Sequence, residues 1–371
     1  MDVRDPATGR RRRKWHSFRG TKRQAQDECT QLLRELQTGA YVEPHKVTLG
    51  QYLDQWLNFI KPNVSPRTYE GYEEYVRKNI VPLLGTKLLR KLQALDISQA
   101  YATMHTSGRR DGKGGLSGRT ILHIHRVLSR ALKQAVRWKL LLGNPCAELE
   151  AKDRPKVEKR PPPTITAAET AQIIDAARAK GLLIPFLLGT VCGLRRGEIV
   201  ALRWKSVDLD RGDLIVAATM EHTRALGHRE KEVKGSRTRT VAMPAVLVEE
   251  LKRHRMAQAE EMLRLGLRTN SDTFVLMKPD GSGHLNVRSL SFAITTLMKR
   301  QSSKVRLHGL RHSHASQMLV EGVHPKVVQE RLGHASIAIT MDIYSHVMPN
   351  MQADAAAKID EALKAAQKKK G

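Results

Sequence analysis

The sequence predicts a mainly α-helical protein of several domains: an N-terminal β-hairpin plus helix, an all-α domain, and a mixed α/β domain that contains a small β-sheet. The chain has 371 residues, which exceeds the length of one typical domain. Hydrophobic residues make up 40% of the chain but aromatic residues only 4%, so the core must consist mainly of Leu, Val, Ile and Ala. Residues 151–164, rich in proline and charge, stop helical patterning and predict a linker between domains.

The chain is strongly basic, with 64 Lys and Arg residues against 37 Asp and Glu residues and a net charge of +27. An excess of this size predicts a surface that binds a polyanion, and nucleic acid is the favoured candidate. A generally basic protein of ribosomal type would carry a similar charge, so charge alone leaves both interpretations open.

Cysteine usage and hydropathy indicate the compartment. Cys29, Cys146 and Cys192 are widely spaced and form no CxxC pair, which argues against a cysteine-based zinc site and fits a reducing cytoplasm. No apolar run approaches the roughly 20 residues that span a bilayer, and no apolar segment follows the N-terminal charges. These features predict a soluble intracellular protein without a membrane partner.

The first segment, residues 1–45, predicts a β-hairpin followed by one helix. Two short strands flank a Pro–Gly turn in DVRDPATGRRRRKWHSF, and TKRQAQDECTQLLRELQTG predicts a helix between an N-cap at Thr21 and a stop at Gly39. A hairpin with one helix is a thin domain, so we expect the start to be truncated and to lack preceding strands. The basic run of the hairpin predicts a phosphate-contacting stripe formed by Arg10, Arg11, Arg12, Arg13 and Lys14.

The second segment, residues 46–150, predicts an all-helical domain of four or five helices. Apolar residues recur at helical spacing in TLGQYLDQWLNFI, SPRTYEGYEEYVRKNIVPLLG and RTILHIHRVLSRALKQAVRWKLL, and LQALDISQAYATMH adds a shorter helix. The basic, glycine-rich loop Thr106–Gly118 has two interpretations: it lies along a DNA backbone, or it is a flexible connection.

The third segment, residues 165–349, mixes helices with short strands. TAAETAQIIDAARAKGL, LIPFLLGTVCG, RRGEIVALRW and AVLVEELKRHRMAQAEEMLRLG predict helices, and helices continue to HPKVVQERLGH. GDLIVAATM and RTRTVAMP predict the strands of a small sheet, and DTFVLM predicts a further short strand. Residues 350–371 predict a polar tail helix that ends in lysines. The chain carries no GxxxxGK[ST] loop, so its motifs do not indicate nucleotide hydrolysis.

The unusual polar residues of the third segment fall in four short pieces. Arg195 and Glu198 are three apart in GLRRGE, so one helical turn would let the carboxylate orient the guanidinium. Lys234 begins a basic turn between two predicted strands. RLGHASIAITMDIYSHV carries His334 and, ten positions later, Tyr344.

The remaining piece, LHGLRHSHAS at residues 307–316, fits two chemistries. His308 and His312 are four apart and would share a helix face, which suits a metal. Arg311 offers a planar fork of donors, which suits a phosphate. No carboxylate or cysteine lies at ligand spacing beside these histidines, so a histidine metalloenzyme is the weaker alternative.

Taken in order, these pieces resemble the tyrosine recombinase family, the integrases of phages and transposons. The matching residues are Arg195, Lys234, His308, Arg311, His334 and Tyr344, with Glu198 at the acidic position of the family. The combination is specific because six residue types occur in order with family-like spacing. His312 and His314 match no catalytic position and receive no role.

The resemblance covers the architecture of the whole chain and implies a function for each segment. It implies a partial arm-type DNA-binding element at 1–45, a helical core-binding domain at 46–150, a linker at 151–164, a catalytic domain at 165–349 and a C-terminal tail helix at 350–371.

The resemblance also implies a site-specific DNA recombinase that acts through a 3′-phosphotyrosyl intermediate. Tyr344 would be the nucleophile, His308 its proton acceptor and His334 a hydrogen-bond donor to the phosphate. Lys234 would protonate the leaving 5′-oxygen. The alternatives are a relaxing enzyme of type IB topoisomerase character and a non-catalytic DNA-binding regulator.

Arg195 and Arg311 would bind the nonbridging phosphate oxygens, so the chemistry would require neither a metal nor a cofactor. The implied partners are double-stranded DNA at core sites and in some cases arm sites, three further copies of the chain in a homotetramer, and accessory DNA-bending or excision-directing proteins. The implied location is the cytoplasm of a prokaryote. The tail helix would dock in a neighbouring subunit or, alternatively, on its own domain.

Overall fold

The computed structural model describes residues 2–4, 11–13, 18–37, 46–157, 162–232 and 238–347, together with residues 356, 359–361 and 364. Arg10, Lys14 and Lys234 lie outside the described residues, and Arg11–Arg13 and Tyr344 are described by their backbone alone. The chain divides into two compact units between Glu158 and Lys159, a point within the predicted linker. The predicted fold class, mainly helical with small sheets and more than one domain, is confirmed.

The first unit begins with the predicted hairpin and helix. Strands β1 (Asp2–Arg4) and β2 (Arg11–Arg13) pair in antiparallel fashion. Helix α1 (Lys22–Gln37) follows, and Thr21 caps it as the sequence predicts, because the backbone N–H of Gln24 donates to Thr21 Oγ1 at 3.4 Å.

A helical bundle completes the first unit. Its helices are α2 (Leu49–Ile60), α3 (Pro66–Tyr75), α4 (Val81–Leu84), α5 (Ala94–Ser107) and α6 (Gly118–Arg137). One apolar stripe of α6 is buried, at the helical spacing that the sequence shows. It packs against Tyr52 and Trp56 of α2, and the Tyr52 hydroxyl donates to the carbonyl of Ala131 at 2.5 Å.

The second unit surrounds one buried helix. Its helices are α7 (Ala167–Ala179), α8 (Leu183–Thr190), α9 (Arg196–Ala201), α10 (Ala245–Arg264), α11 (Val287–Arg300), α12 (Leu307–Val320), α13 (Pro325–Leu332) and α14 (Ile337–Val347). Every residue of α8 is buried, as expected of a helix whose residues are apolar except Thr190, and the Thr190 hydroxyl donates to the carbonyl of Phe186. Within the described ranges, none of the helices combines the length and the apolar character that a transmembrane span needs.

Among the described residues of the second unit, the strands form two small antiparallel sheets. Strands β3 (Val207–Asp208), β4 (Asp213–Val216) and β7 (Arg239–Ala242) form one sheet in the order β3-β4-β7. Strands β5 (Ala218–Thr223) and β6 (Gly227–Glu232) form a separate hairpin. Strand β6 was not predicted from the sequence, because its residues GHREKE show no alternation of apolar and polar side chains.

The predicted strand in DTFVLM is wrong. Phe274 makes one isolated bridge with Arg203, and Met277 makes another with His284. The chain then reverses at once, since the backbone N–H of Lys278 donates to the carbonyl of Gly283. Because the chain reverses directly after these bridges, the segment does not form the consecutive hydrogen-bonded pairs of a β-ladder.

The turn between α8 and α9 approaches α12 and α13 closely at Gly193. Its φ is +66°, and an added Cβ would lie 2.5 Å from Leu332 Cδ2 and 2.7 Å from His314 Cδ2. Both the conformation and the space therefore require glycine. This contact brings the start of α9 against α12 and the end of α13.

His314, to which the sequence assigned no role, is a structural residue beneath this turn. It is 7% exposed, and its Nε2 accepts a hydrogen bond from Arg331 Nε at 3.0 Å. Arg331 also donates to the carbonyls of Val191 at 3.0 Å and Ala242 at 2.8 Å. Burial first, and then the charge of Arg331, lowers the pKa of His314 to about 4. The ring therefore stays neutral at pH 7 and ties α12 to α13.

This low pKa predicts an acid-sensitive fold. A histidine in the unfolded chain has a pKa of about 6.5, while that of folded His314 is about 4. Between these values the unfolded state binds more protons, so the free energy of unfolding falls as the pH drops from 7 to 4, by up to about 3 kcal/mol from this group. Urea unfolding at a series of pH values measures the slope.

The control compares two substitutions of the same type. His314→Gln should flatten the slope between pH 6.5 and 4, whereas His105→Gln, at an exposed position, should leave it as in the wild type. An unchanged slope in the His314 variant would contradict the assignment.

Candidate active site

A capping box at the start of α9 holds Arg195 beside Glu198. The backbone N–H of Arg195 donates to Glu198 Oε2 at 2.8 Å, and Arg195 Nη1 donates to Glu198 Oε1 at 2.7 Å. Gly197 allows α9 to lie close to β5, because a Cβ there would lie 2.7 Å from the carbonyl oxygen of Met220. Glu198 is consequently 4% exposed.

Arg239 of β7 binds the same carboxylate from the other side. Its Nη1 and Nη2 donate to Glu198 Oε1 at 3.1 Å and Oε2 at 2.8 Å, and its Nε donates to the carbonyl of Arg331 at 2.7 Å. Burial acts to raise the pKa of Glu198, but the hydrogen bonds and charges of Arg239 and Arg195 lower it below its ordinary value. Glu198 is therefore ionised and shared between two guanidinium groups.

Arg311 of α12 completes what we call the guanidinium cluster, namely Arg195, Arg239 and Arg311. It is 3% exposed, and it donates to the carbonyl of Gly193 at 2.6 Å and to that of Leu332. Burial and the charge of Arg195 lower the pKa of Arg311 to about 9, so it remains charged at pH 7. These bonds engage two of its five N–H donors and leave others for an anion.

His308 and His312 lie one turn apart on α12. Their ring centroids are 4.9 Å apart with the planes at 87°. Although His308 keeps an exposed surface, partial burial of its ring lowers its pKa to about 4, together with repulsion from Arg311, from Arg195 and from His312 when that ring is protonated. Burial and Arg311 also lower the pKa of His312. Both rings are neutral at pH 7 and can accept a proton.

His334 lies between α13 and α14. It directly follows Gly333, whose left-handed backbone conformation favours glycine. Gly333 has φ of +62°, its carbonyl accepts a hydrogen bond from Arg195 Nη2 at 2.9 Å, and a Cβ there would lie 3.1 Å from Arg239 Cδ. The motif LGH thus places the imidazole of His334 next to Gly333, which contacts both Arg195 and Arg239. Burial, followed by Arg311 and Arg195, lowers the pKa of His334 to about 4.

The structure brings together the predicted residues that it describes in full: Arg195, Glu198, His308, Arg311 and His334. The connection between β6 and β7 contains Lys234, which lies outside the described residues, and α14 contains the backbone of Tyr344. The stripe predicted at Arg10–Lys14 is represented by the backbone of β2.

Sequence reasoning missed two arginines of this site, Arg239 and Arg331. The strand RTRTVAMP offers two arginines, and its pattern does not show which one meets Glu198. Arg331 precedes the LGH motif and resembles an ordinary last-turn cation. Their partners lie far away in sequence, so only the tertiary structure identifies them.

The electrostatics of the site suit an oxyanion. The guanidinium cluster carries three positive charges, which one carboxylate offsets in part, and its donors are held by fixed carbonyl and carboxylate partners. Such preset guanidinium groups favour phosphate oxygens. Among the residues that the structure describes, no group of three or more His, Cys, Asp or Glu side chains is arranged to hold a metal ion.

Two curated relatives match nearly the whole chain. The tyrosine recombinase XerC-like protein of Caldanaerobacter subterraneus is 27% identical over 362 residues, which covers 92% of this chain and 90% of that protein. The ICEBs1 integrase of Bacillus subtilis is 26% identical over 364 residues, with 97% and 95% covered.

Solved structures share the fold. The Tn1549 transposon integrase in complex with a circular intermediate DNA aligns with a TM-score of 0.71 and 21% identity, covering 84% of this chain and 99% of that one. A lambda integrase tetramer bound to a Holliday junction aligns with a TM-score of 0.57 and 19% identity, covering 92% and 91%.

Two family models match successive parts of the chain. The phage integrase N-terminal SAM-like domain matches residues 48–105, within the helical bundle of the first unit. The phage integrase family matches residues 163–351, which include the guanidinium cluster, His308, His334 and α14. The chain therefore belongs to the phage integrase family, the tyrosine recombinases that its ordered polar residues resemble.

Proposed function

We propose that this tyrosine recombinase integrates or excises a mobile element at specific DNA sites through a 3′-phosphotyrosyl intermediate. The observation that carries the proposal is the guanidinium cluster beside the neutral rings of His308 and His334. Arg195 and Arg239 are held by the buried carboxylate of Glu198, and Arg311 is held by the carbonyls of Gly193 and Leu332. Relatives named as integrases of ICEBs1 and of transposon Tn1549 support a mobile element as the substrate.

The arginines would bind the scissile phosphate. Arg195 and Arg311 donate to the nonbridging oxygens, on which negative charge grows during attack. Their guanidinium planes are already set by bonds to Glu198, Gly333 and Gly193, so little reorganisation is required when DNA binds.

The proton transfers follow from the histidines and from Lys234. The phenolic oxygen of Tyr344 bonds to phosphorus as the bond to the 5′-oxygen breaks, His308 takes the phenolic proton, and Lys234 gives a proton to the 5′-oxygen. His334 donates a hydrogen bond to a nonbridging oxygen. One phosphodiester replaces another, so strand exchange needs no ATP.

DNA binding would itself activate His308. Arg311 and Arg195 contribute to its low pKa, and a bound phosphate places a negative charge beside them. The pKa of His308 therefore rises when the substrate is in place, and its basicity increases where the phenol of Tyr344 must lose a proton.

We further propose a homotetramer on DNA in the cytoplasm of a prokaryote, with accessory DNA-bending or excision-directing proteins. The solved lambda integrase tetramer on a Holliday junction supports the tetramer. The apolar positions within ADAAAKIDEALKAA, residues 353–366, support docking of the tail helix in a groove of a neighbouring subunit. Double-stranded DNA at core sites is the substrate, with arm sites bound through the N-terminal hairpin.

Tyr344→Phe should abolish the covalent protein–DNA adduct while the dissociation constant for DNA stays within about twofold of the wild type, because the substitution removes one hydroxyl. A nicked suicide substrate on a denaturing gel measures the adduct. Tyr101→Phe, at a buried tyrosine of the first unit, serves as the control and should retain it. An adduct that survives denaturant in the Tyr344 variant would refute the assignment of Tyr344 as the nucleophile. Separately, relaxation of plasmids without site preference would indicate a relaxing enzyme instead of a recombinase.

Lys234→Ala should slow cleavage of ordinary DNA by roughly 10²- to 10⁴-fold, as expected for loss of a general acid. A substrate with sulfur in place of the bridging 5′-oxygen leaves as a thiolate, whose conjugate acid has a pKa of only about 8.5 in a model thiol. The variant should therefore cleave this substrate at close to the wild-type rate. Lys231→Ala, at an exposed position of β6, should behave as wild type on both substrates. Equal impairment of the Lys234 variant on both substrates would assign the general acid elsewhere.

A further inference from the structure

Thr340 of α14 is buried against His334. It is 0% exposed, and its Oγ1 lies 2.9 Å from His334 Nδ1. The sequence pattern indicates no role for Thr340, and the proposed mechanism does not use it. Its position is notable because α14 also carries Tyr344 four residues later, about one helical turn away.

The burial of Thr340 fixes the direction of this hydrogen bond. A buried hydroxyl proton without an acceptor is unfavourable. In the part of the chain that the structure describes, the partner of the Thr340 hydroxyl is His334 Nδ1. If Nδ1 carried a proton, the Thr340 hydroxyl oxygen would accept a hydrogen bond from Nδ1–H. The hydroxyl's own proton would then have no acceptor. The hydroxyl therefore donates, and Nδ1 accepts.

This direction determines where His334 carries its proton. The pKa of His334 lies at about 4 because of burial and the neighbouring arginines, so the ring has a single proton at pH 7. With Nδ1 as an acceptor, that proton is on Nε2. In this tautomer Nε2 is a donor, whereas in the other tautomer it would present a lone pair to an anion.

We propose that Thr340 is a positioning residue that holds His334 in the tautomer able to donate from Nε2 to the scissile phosphate. The inference rests on the proposed role of His334 and deepens it. Because α14 carries both Thr340 and Tyr344, a displacement of α14 would remove the nucleophile from the site. It would also break the hydrogen bond that keeps the proton of His334 on Nε2. A subunit with α14 out of place would thus lose a phosphate donor as well as its nucleophile.

The backbone of His334 is held independently of Thr340. Its N–H donates to the carbonyl of Gln329 at 3.1 Å, and its carbonyl accepts from Gln329 Nε2 at 3.2 Å. Removal of the Thr340 hydroxyl should therefore change the imidazole proton and leave the loop in place. Valine matches the shape of threonine without the hydroxyl, and serine retains the hydroxyl.

The test is single-turnover cleavage of a suicide substrate at saturating enzyme by the full chain. Thr340→Val should slow cleavage about 10-fold, the size expected for one lost hydrogen bond, with DNA affinity unchanged. Thr340→Ser should cleave within about twofold of the wild type. In a His334→Ala background, Thr340→Val should cause no further loss, because the hydroxyl acts through the ring.

Each other outcome of the cycle overturns the inference. A Thr340→Val enzyme that cleaves as wild type, while His334→Ala is impaired, shows that the hydroxyl does not matter. If Thr340→Val lowers the cleavage rate by the same factor in the His334→Ala background as in the wild type, the hydroxyl does not act through His334 and only stabilises α14. A His334→Ala enzyme that cleaves as wild type refutes the role of His334 in the proposed function, and the inference with it.

A spectroscopic measurement addresses the tautomer directly. In ¹⁵N-histidine spectra, the signals that disappear in His334→Ala should show a protonated Nε2 and an unprotonated Nδ1. Thr340→Val should shift these signals towards a mixture of tautomers, and Thr340→Ser should not. A protonated Nδ1 in the wild type would overturn the proposal even if a variant failed to fold.

Discussion

The buried carboxylate of Glu198 is the constraint on which the rest of the site depends. It accepts hydrogen bonds from Arg195 at the start of α9 and from Arg239 at the start of β7. A carboxylate at 4% exposure is stable only with such partners, and loss of one partner from a buried pair typically costs about 3–5 kcal/mol. Glu198 therefore orients Arg195, which we propose binds phosphate. It also holds Arg239 at the start of β7, the strand that follows the connection containing Lys234.

Three glycines allow the elements around this carboxylate to pack closely against one another. Gly197 lets α9 lie against β5, Gly193 lets the preceding turn lie against α12 and α13, and Gly333 ends α13 beside the arginines. The carbonyls of Gly193 and Gly333 are themselves acceptors for Arg311 and Arg195. The backbone thus approaches closely enough to orient the guanidinium groups, which a Cβ at these positions would prevent.

Local features of the site could be predicted from the sequence. The spacing of Arg195 and Glu198 predicts a contact across one helical turn, and the structure contains that contact as a capping box. The helix that carries His308 and Arg311 follows from the same kind of local pattern. The family resemblance added the order of the polar residues, which no single motif provides.

Long-range features could not be predicted. Arg239 and Arg331 act through partners 17 to 140 positions away, and a single sequence does not show which side chains meet. The histidines of LHGLRHSHAS look equivalent in sequence, yet His314 is a buried acceptor for Arg331 and His308 keeps an exposed surface. Strand β6 was missed because backbone pairing with β5, rather than a buried face, defines it.

Single-turnover cleavage by Glu198→Gln tests the central claim most directly, with Glu250→Gln as its control. Glu250 is also buried and ion-paired in the second unit, but its partners are Arg178 and Arg253, and neither of them belongs to the guanidinium cluster. Below the unfolding temperature of both variants, Glu198→Gln should slow cleavage by roughly 30-fold or more, as expected for about 2 kcal/mol of lost orientation, while DNA affinity and the Glu250 variant remain close to wild type. Equal cleavage rates in the two variants would contradict the account.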